Sequence, residues 1–171
     1  MPLLIGVLAL QGGFEAHARM LRGLGACVRE VRTPADLEGI EGLVIPGGES
    51  TTMTLGIERE GLAEPLRELA GAPPAPVSDD SPFAGPPESR PSQVGGVPVL
   101  GSCAGLIMLD REHLGLMDMR AQRNAFGRQI RSFEADVDLA GVQGGPMHAV
   151  FIRAPWVVEH GPGVEVLASI E

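Results

Sequence analysis

Residues 97–105 form the stretch that decides the fold, Val97-Pro98-Val99-Leu100-Gly101-Ser102-Cys103-Ala104-Gly105. A short apolar run precedes small residues that flank a cysteine, and an apolar helix-like run begins at Ala104. This order predicts a nucleophile elbow, a sharp strand-to-helix turn that holds one side chain in a strained, exposed position and requires small neighbours. The sequence therefore predicts Cys103 as a nucleophile at the end of a strand.

Strand-like and helix-like segments alternate on the N-terminal side of this elbow. Apolar runs predict strands, the first of them buried on both faces, at residues 3–10, 26–31, 43–45 and 97–100. Amphipathic spacing predicts helices over 14–24, 50–70 and 104–110. Ser50 is the predicted N-cap of the second helix, with an interruption near Gly61 or Pro65. The alternation predicts an α/β sandwich around a mostly parallel sheet.

The C-terminal part of the chain has a different character. After residue 115 the pattern predicts only short strands, at 132–139, 150–153 and 164–168. Residues 71–96 are rich in proline, glycine and serine and have few apolar side chains, so they predict a disordered surface insertion, with a functional lid as the alternative. The whole chain of residues 1–171 is predicted to be a single domain.

Composition limits the function further. The chain has 171 residues, 44% of them hydrophobic, which is enough for one sizeable core. No apolar run reaches the roughly 20 residues of a membrane span, and the N-terminus lacks the basic region of a secretory signal, so the predicted location is cytoplasmic. The net charge of −9 argues against a nucleic-acid partner. All 13 basic residues are arginine, which excludes lysine-based Schiff-base or P-loop chemistry.

The two cysteines have different predicted roles. Cys27 lies in an alternating segment and is interpreted as a buried strand residue. No CxxC spacing and no Cys/His cluster occurs, so the sequence predicts no metal site. Cys103 differs from Cys27 because of its position at the elbow.

Glycine-bearing turns follow three of the predicted strands. They are residues 11–13, residues 46–50 and the elbow itself. In a parallel sheet such turns meet at the carboxyl ends of the strands, where ligands bind. A Gly-Gly turn also exposes backbone N–H groups that can hold a carboxylate or an oxyanion. The three turns together predict a binding site around Cys103.

Six segments of the chain resemble the glutaminase subunits of pyridoxal 5'-phosphate synthase, the PdxT/SNO family of class I glutamine amidotransferases. The segments are 5–12 (IGVLALQG), 45–53 (IPGGESTTM), 101–107 (GSCAGLI), 123–129 (RNAFGRQ), 132–134 (SFE) and 151–155 (FIRAP). The resemblance covers most of the chain outside residues 71–96. It implies a flavodoxin-like three-layer α/β sandwich.

The resemblance also implies a reaction and a set of site residues. Cys103 would attack the side-chain amide of L-glutamine, and the ammonia released would pass to a separate synthase subunit. The backbone N–H groups of Gly48 and Ala104 would form the oxyanion hole. The glutamine-binding residues implied by the motifs are Gly48, Glu49, Ser50, Arg123, Ile152 and Arg153. Gln11 and Gly12 are expected beside the site. No cofactor is implied.

The chain departs from the family at its C-terminal side. The family takes its general base and orienting acid from a His-Pro-Glu motif, and no His-Pro-Glu occurs among the 171 residues. The resemblance therefore predicts a C-terminally incomplete domain, either a truncated chain or a decayed paralogue, whose activity is left open. None of the four histidines matches the catalytic base. His17, on the first predicted helix, is interpreted as a surface or packing residue.

Two alternatives remain open at this point. One is a non-catalytic subunit that binds glutamine or the synthase without hydrolysis. The other is a different cysteine-elbow α/β protein, such as a small hydrolase that uses His148 or His160 as its base.

Overall fold

The computed structural model describes residues 1–72, 96–123 and 133–170. The predicted insertion at 71–96 therefore lies almost wholly outside the described residues, and its disorder stays a prediction. Family-like residues 124–129 and Ser132 also lie outside them.

Four strands form a parallel sheet at the centre of the fold. They are β1 (Leu4–Leu8), β2 (Cys27–Val31), β3 (Gly42–Ile45) and β4 (Val99–Gly101). Their order in the sheet is β2-β1-β3-β4, so β1 and β3 are central. Val7 lies opposite Glu30 on one side and opposite Val44 on the other. Val7, Leu8 and all of β3 are buried, as expected for parallel strands covered on both faces. The four strands predicted before the elbow are confirmed.

Among the described residues, three α-helices and a 3-10 helix lie between these strands, and a fourth α-helix follows β4. They are α1 (Phe14–Gly23), the 3-10 helix Pro34–Leu37, α2 (Ser50–Arg59), α3 (Ala63–Leu69) and α4 (Ala104–Leu109). The helix predicted over 50–70 is interrupted, as expected near Gly61, which has a φ of 65°. Pro65 is accommodated in the first turn of α3, where no intrahelical bond needs its N–H. None of the helices within residues 1–72, 96–123 and 133–170 combines the length and the hydropathy of a membrane span.

The apolar faces of sheet and helices share one core. Leu8, Leu43 and Ile45 of the sheet pack with Met53 of α2 and Leu66 of α3, and each is almost fully buried. Burial of one such side chain contributes roughly 1.5–3 kcal/mol relative to exposure. The core therefore gives the turns at the carboxyl ends of β1, β3 and β4 a rigid base.

Two separate antiparallel pairs make up the C-terminal part. β5 (Met119–Gln122) pairs with β8 (Trp156–His160), and β6 (Phe133–Val137) pairs with β7 (Met147–Phe151). In the second pair the rings of Phe133 and Phe151 stack with centroids 4.7 Å apart.

The strand predictions for this part are only partly right. Segment 132–139 contains β6, but the strand predicted at 150–153 runs from Met147 to Phe151 instead. The strand predicted at 164–168 is wrong. There the carbonyl of Leu167 accepts a hydrogen bond from the N–H of Ala140 at 2.9 Å, and no strand pairs with the segment among the described residues. β5 and β8 were not predicted, because their pairing joins segments far apart in the chain.

Cys27 is exposed, which corrects the prediction of a buried strand residue. It is the first residue of β2, and β2 is an edge strand of the sheet. An edge strand has a neighbour on one side only, so its first residue remains accessible to solvent even where the sequence alternates.

A buried carboxylate connects the end of α4 to β5. Asp110 is 0% exposed and accepts hydrogen bonds from the backbone N–H groups of Glu112 (2.9 Å), His113 (3.1 Å) and Ala121 (3.3 Å). Its Oδ1 also lies 2.7 Å from Nδ1 of His113. This carboxylate thereby fixes β5, the strand that leads to Arg123, relative to α4.

Replacement of Asp110 by alanine should destabilise the fold. The variant removes the acceptor of the Glu112 and Ala121 N–H groups, whereas the N–H of His113 keeps the backbone carbonyl of Asp110 at 3.3 Å, and we expect the free energy of unfolding to fall by about 1–3 kcal/mol. Urea denaturation measures the change. Asp138 is exposed, and its replacement by alanine should shift the free energy by no more than about 0.5 kcal/mol. Equal effects of the two substitutions would contradict the structural role of Asp110.

Candidate active site

Cys103 occupies the turn between β4 and α4 in a strained conformation. Its φ is 52° and its ψ is −109°, a region that costs a non-glycine residue about 1–3 kcal/mol. The residue is exposed and its thiol forms no disulfide. The predicted strand–turn–helix geometry is therefore present.

Close backbone contacts explain the small residues around the cysteine. A Cβ atom on Gly101 would lie 2.6 Å from the carbonyl oxygen of Gly105. A Cβ atom on Gly105 would lie 1.9 Å from the carbonyl oxygen of Ile45, the last residue of β3. Glycine is required at both positions because the start of α4 packs directly against the backbones of β4 and β3.

The three glycine-bearing turns meet at the carboxyl ends of β1, β3 and β4, as predicted. A Cβ atom on Gly47 would lie 3.3 Å from the Cβ of Cys103, so the β3–α2 turn touches the elbow. The carbonyl of Gly47 accepts a hydrogen bond of 2.9 Å from the N–H of Gly13. A Cβ atom on Gly12, whose φ is 80°, would lie 2.0 Å from the same oxygen.

Gln11 lies against the same turn, beside the site as expected. Its Oε1 accepts a hydrogen bond of 3.1 Å from the N–H of Glu49. A side chain on Gly48 would overlap the Gln11 amide, because a Cβ there would lie 2.4 Å from Oε1. Nε2 of Gln11 is buried and has no hydrogen-bond partner among the described residues.

Arg123 joins two of the motifs predicted to bind glutamine. It follows β5, and its Nη1 donates to the hydroxyl of Ser50 at 2.8 Å and to that of Thr51 at 3.0 Å. Ser50 is buried, whereas Arg123 is exposed. A guanidinium held at one edge and exposed on the other is suited to bind a carboxylate. Sequence reasoning did not single out Thr51.

Glu49, and not the predicted Ser50, caps helix α2. Its carboxylate accepts hydrogen bonds from the backbone N–H of Thr52 at 2.7 Å and from the Thr52 hydroxyl at 3.0 Å. The Thr52 N–H holds the pKa of Glu49 below its usual value of 4.5. Ser50 is the first helical residue, and its hydroxyl is engaged with Arg123. Ser50 does not cap the helix because its hydroxyl accepts a hydrogen bond from Arg123, a residue 73 positions away in the chain.

The third predicted binding segment, residues 152 and 153, is exposed to solvent. Ile152 and Arg153 directly follow β7 and are exposed, and Arg153 has a φ of 45°. No hydrogen bond or ion pair within the described ranges joins either residue to Cys103 or Arg123.

A cavity of about 330 Å³ adjoins Arg123 on the side of β5 and β8. His113 and Arg120 also line it, but Cys103 and Gly48 do not. This concave surface is therefore distinct from the space around the thiol.

Three of the four histidines form hydrogen bonds with residues close to them in the chain, and none of the three is hydrogen-bonded to Cys103. His113 is paired with Asp110, His148 with Asp136, and Nδ1 of His160 lies 3.2 Å from the carbonyl of Gly161. These arrangements give no support to a hydrolase that uses His148 or His160 as its base.

His17 differs from the other three histidines. Its Nε2 lies 3.0 Å from the hydroxyl of Ser102, the neighbour of Cys103, in a partly buried contact. The interpretation of His17 as a surface or packing residue missed this hydrogen bond. The two residues are 85 positions apart, and no local pattern signals their contact.

A cysteine elbow packed against a Gly-Gly turn on a parallel α/β sheet defines this chain as a class I glutamine amidotransferase fold. A solved glutamine amidotransferase is similar with a TM-score of 0.77 and 36% identity, covering 97% of this chain and 79% of that structure. The PurLQS structure from Thermotoga maritima, 16% identical with a TM-score of 0.70, covers 98% of this chain and 74% of that one and shares the fold.

The family follows from the sequence comparison. The model of the SNO glutamine amidotransferase family matches residues 7–79 and 91–170, and the chain belongs to this family. The pyridoxal 5'-phosphate synthase subunit PdxT of Saccharopolyspora erythraea is 46% identical over 97% of this chain and 72% of the relative. PdxT of Geobacillus kaustophilus is 46% identical over 96% of this chain and 76% of the relative. The family and fold class inferred from the sequence are confirmed.

The elbow should not tolerate a methyl group at Gly105. Replacement of Gly105 by alanine forces α4 away from the Ile45 carbonyl, and we expect unfolding to become easier by about 1–3 kcal/mol. Gly23 on α1 is the matched control, because a Cβ there meets nothing within 4 Å. Gly23→Ala should leave stability unchanged or raise it by up to about 1 kcal/mol. Thermal or urea unfolding compares the two, and a harmless Gly105→Ala would show that the close approach is not required.

The N-cap of α2 should make stability depend on pH. The folded state lowers the pKa of Glu49, so the cap contributes stability above 4.5 that is lost as the pH falls through the lower, folded value. Glu49→Gln should therefore lower the urea midpoint at neutral pH, and the difference from the parent protein should shrink in acid.

Glu58 is the control for this experiment, because it is exposed on the same helix. Glu58→Gln should produce little change at either pH. A Glu49→Gln effect that is independent of pH would contradict the charged cap.

Proposed function

We propose that this chain is the glutamine-hydrolysing subunit of a pyridoxal 5'-phosphate synthase. It takes L-glutamine, releases glutamate, and passes ammonia to the synthase subunit, in the cytoplasm and without a nucleic-acid or membrane partner. Membership of the SNO glutamine amidotransferase family and relatives named PdxT support this function. The observation that carries it is the strained Cys103 in contact with the Gly47–Gly48 turn.

Cys103 is the proposed nucleophile. Its sulfur attacks the side-chain amide carbon of glutamine, and the carbonyl oxygen takes up negative charge in the tetrahedral intermediate. When this intermediate collapses, the C–N bond breaks, the amide nitrogen takes up the proton given up by the thiol and leaves as ammonia, and a thioester remains on Cys103. Water then cleaves the thioester and yields glutamate and the free thiol.

The backbone N–H groups of Gly48 and Ala104 are the proposed oxyanion hole. Neither group has an acceptor within the parts of the chain that the structure describes, and both belong to turns that meet at Cys103. Unpaired N–H groups held rigidly around a developing negative charge typically contribute about 3–4 kcal/mol each to catalysis. Side chains are absent at positions 47 and 48, where Cys103 and the Gln11 amide occupy the adjoining space.

Arg123 is the proposed partner of the substrate α-carboxylate. Its contacts with Ser50 and Thr51 orient the guanidinium, and its exposed edge remains available to a ligand. Gly48, Glu49 and Ser50 form the second wall of the proposed glutamine site. Ile152 and Arg153 complete it by resemblance.

None of the site residues named above supplies the general base. The family uses a His-Pro-Glu sequence, which does not occur among the 171 residues, and three of the four histidines lie in local contacts away from Cys103. We therefore expect these 171 residues alone to bind glutamine better than they hydrolyse it. The second candidate function, a non-catalytic subunit that binds glutamine or the synthase, follows from the same observation.

Glutamine binding and glutamate release separate these functions. Calorimetry with L-glutamine should give a binding isotherm that Cys103→Ala preserves, whereas Arg123→Ala should weaken binding by about tenfold to a hundredfold, as expected for loss of a charged hydrogen bond. Arg22 is the matched control, because it is exposed on α1, and Arg22→Ala should leave binding unchanged.

The second measurement is glutamate release in the presence of a synthase subunit that partners a PdxT relative. Release that Cys103→Ala abolishes supports the hydrolytic function. Binding of glutamine without release supports the non-catalytic subunit. Absence of both binding and release would contradict the glutamine site altogether.

A further inference from the structure

His17 reaches from α1 to the residue that precedes the nucleophile. Its Nε2 and the hydroxyl of Ser102 share a hydrogen bond of 3.0 Å in a partly buried position. The other histidines pair within their own turn or hairpin. His17 is thus the histidine that connects a different element to the elbow.

The elbow needs restraints from outside its own sequence. The backbone of Cys103 has a φ of 52°, which an isolated chain would relax. Two backbone hydrogen bonds hold Ser102, from its N–H to the carbonyl of Ile45 at 3.1 Å and from the N–H of Gly105 to its own carbonyl at 2.8 Å. The contact with His17 restrains the side chain of Ser102 as well.

The histidine is itself held to the site. Its backbone N–H donates to the carbonyl of Gly13 at 3.3 Å, and the N–H of Gly13 donates to the carbonyl of Gly47 at 2.9 Å. Gly47 in turn lies against Cys103. The contacts therefore form a ring that runs from His17 through Gly13, Gly47, Cys103 and Ser102 and back to His17. A change of the His17 side chain removes the contact with Ser102 and leaves the backbone link through Gly13 in place.

We propose that His17 is a positioning residue that holds the Cys103 elbow in its strained, exposed conformation through the hydroxyl of Ser102. The proposal rests on the proposed role of Cys103 as the nucleophile and adds a residue to that same site. His17 acts through Ser102 and does not contact the thiol. Without the hydrogen bond, the elbow samples relaxed conformations in which the thiol is less accessible.

The alkylation rate of Cys103 tests this role directly. Cys27 is the second free, exposed cysteine, and it lies on the opposite edge of the sheet, so it serves as an internal reference. Iodoacetamide at fixed pH, followed by mass spectrometry of the two cysteine peptides, gives the ratio of their rates. His17→Leu should lower the Cys103 rate relative to Cys27 by about three- to tenfold, the change expected from loss of one ordinary hydrogen bond.

Conservative variants distinguish positioning from packing. His17→Gln places an amide near the position of Nε2, and Ser102→Thr keeps the hydroxyl, so both should retain most of the parent rate. Ser102→Ala should lower it as much as His17→Leu. The double variant should be no slower than either single one, because both remove the same interaction. His160→Leu, remote from the elbow, should leave the ratio unchanged.

Three results would overturn the proposal. Ser102→Ala removes one oxygen atom and keeps the fold. An unchanged rate ratio in this variant would overturn the proposal even if His17→Leu fails to fold. Additive losses in the double variant would show that the two residues act independently. An equal decrease of the alkylation rates of Cys27 and Cys103 would show that the substitution affects the whole protein and not the elbow. Because alkylation requires neither glutamine nor turnover, failure of glutamine binding would contradict the proposed function without deciding this test.

Discussion

The close approach of helix α4 to strand β3 is the constraint on which the rest of the structure depends. At Gly105 there is no space for a side chain, because a Cβ atom would lie 1.9 Å from the carbonyl oxygen of Ile45. This approach brings the β4–α4 turn against the β3–α2 turn, so that Gly47 touches Cys103. Ile107 and Met108 of α4 are buried in the common core, which keeps the helix in this position. The site is therefore a consequence of apolar packing beneath it.

The strain at Cys103 is small enough for a few polar contacts to maintain. A positive φ at a non-glycine residue costs about 1–3 kcal/mol, and an ordinary hydrogen bond contributes about 0.5–1.5 kcal/mol net. The two backbone bonds at Ser102 and the side-chain bond to His17 are together of the required size. Polar contacts on the other side of the site have a similar function. Asp110 positions β5, and β5 carries Arg123 to Ser50.

Predictions from the sequence succeeded where the physical cause was local. The apolar run at 3–10 predicted β1, and the small residues around Cys103 predicted the elbow, because burial on both faces and steric crowding leave direct marks on the sequence. The predictions failed where the structure of a segment depends on a partner that is distant in the sequence. Residues 164–168 alternate like a strand but find no strand partner among the described residues, and Cys27 is exposed because β2 lies at the sheet edge.

The sequence by itself determined the parallel α/β class, the turn at Cys103 and the three glycine-bearing turns, since hydrophobic periodicity and the steric needs of a tight turn are properties of neighbouring residues. Only the tertiary structure decided that Ser50 binds Arg123 and that His17 bonds to Ser102. These contacts join residues up to 85 positions apart. They depend on the order of the strands in the sheet and on the placement of helices around it, which no local pattern encodes.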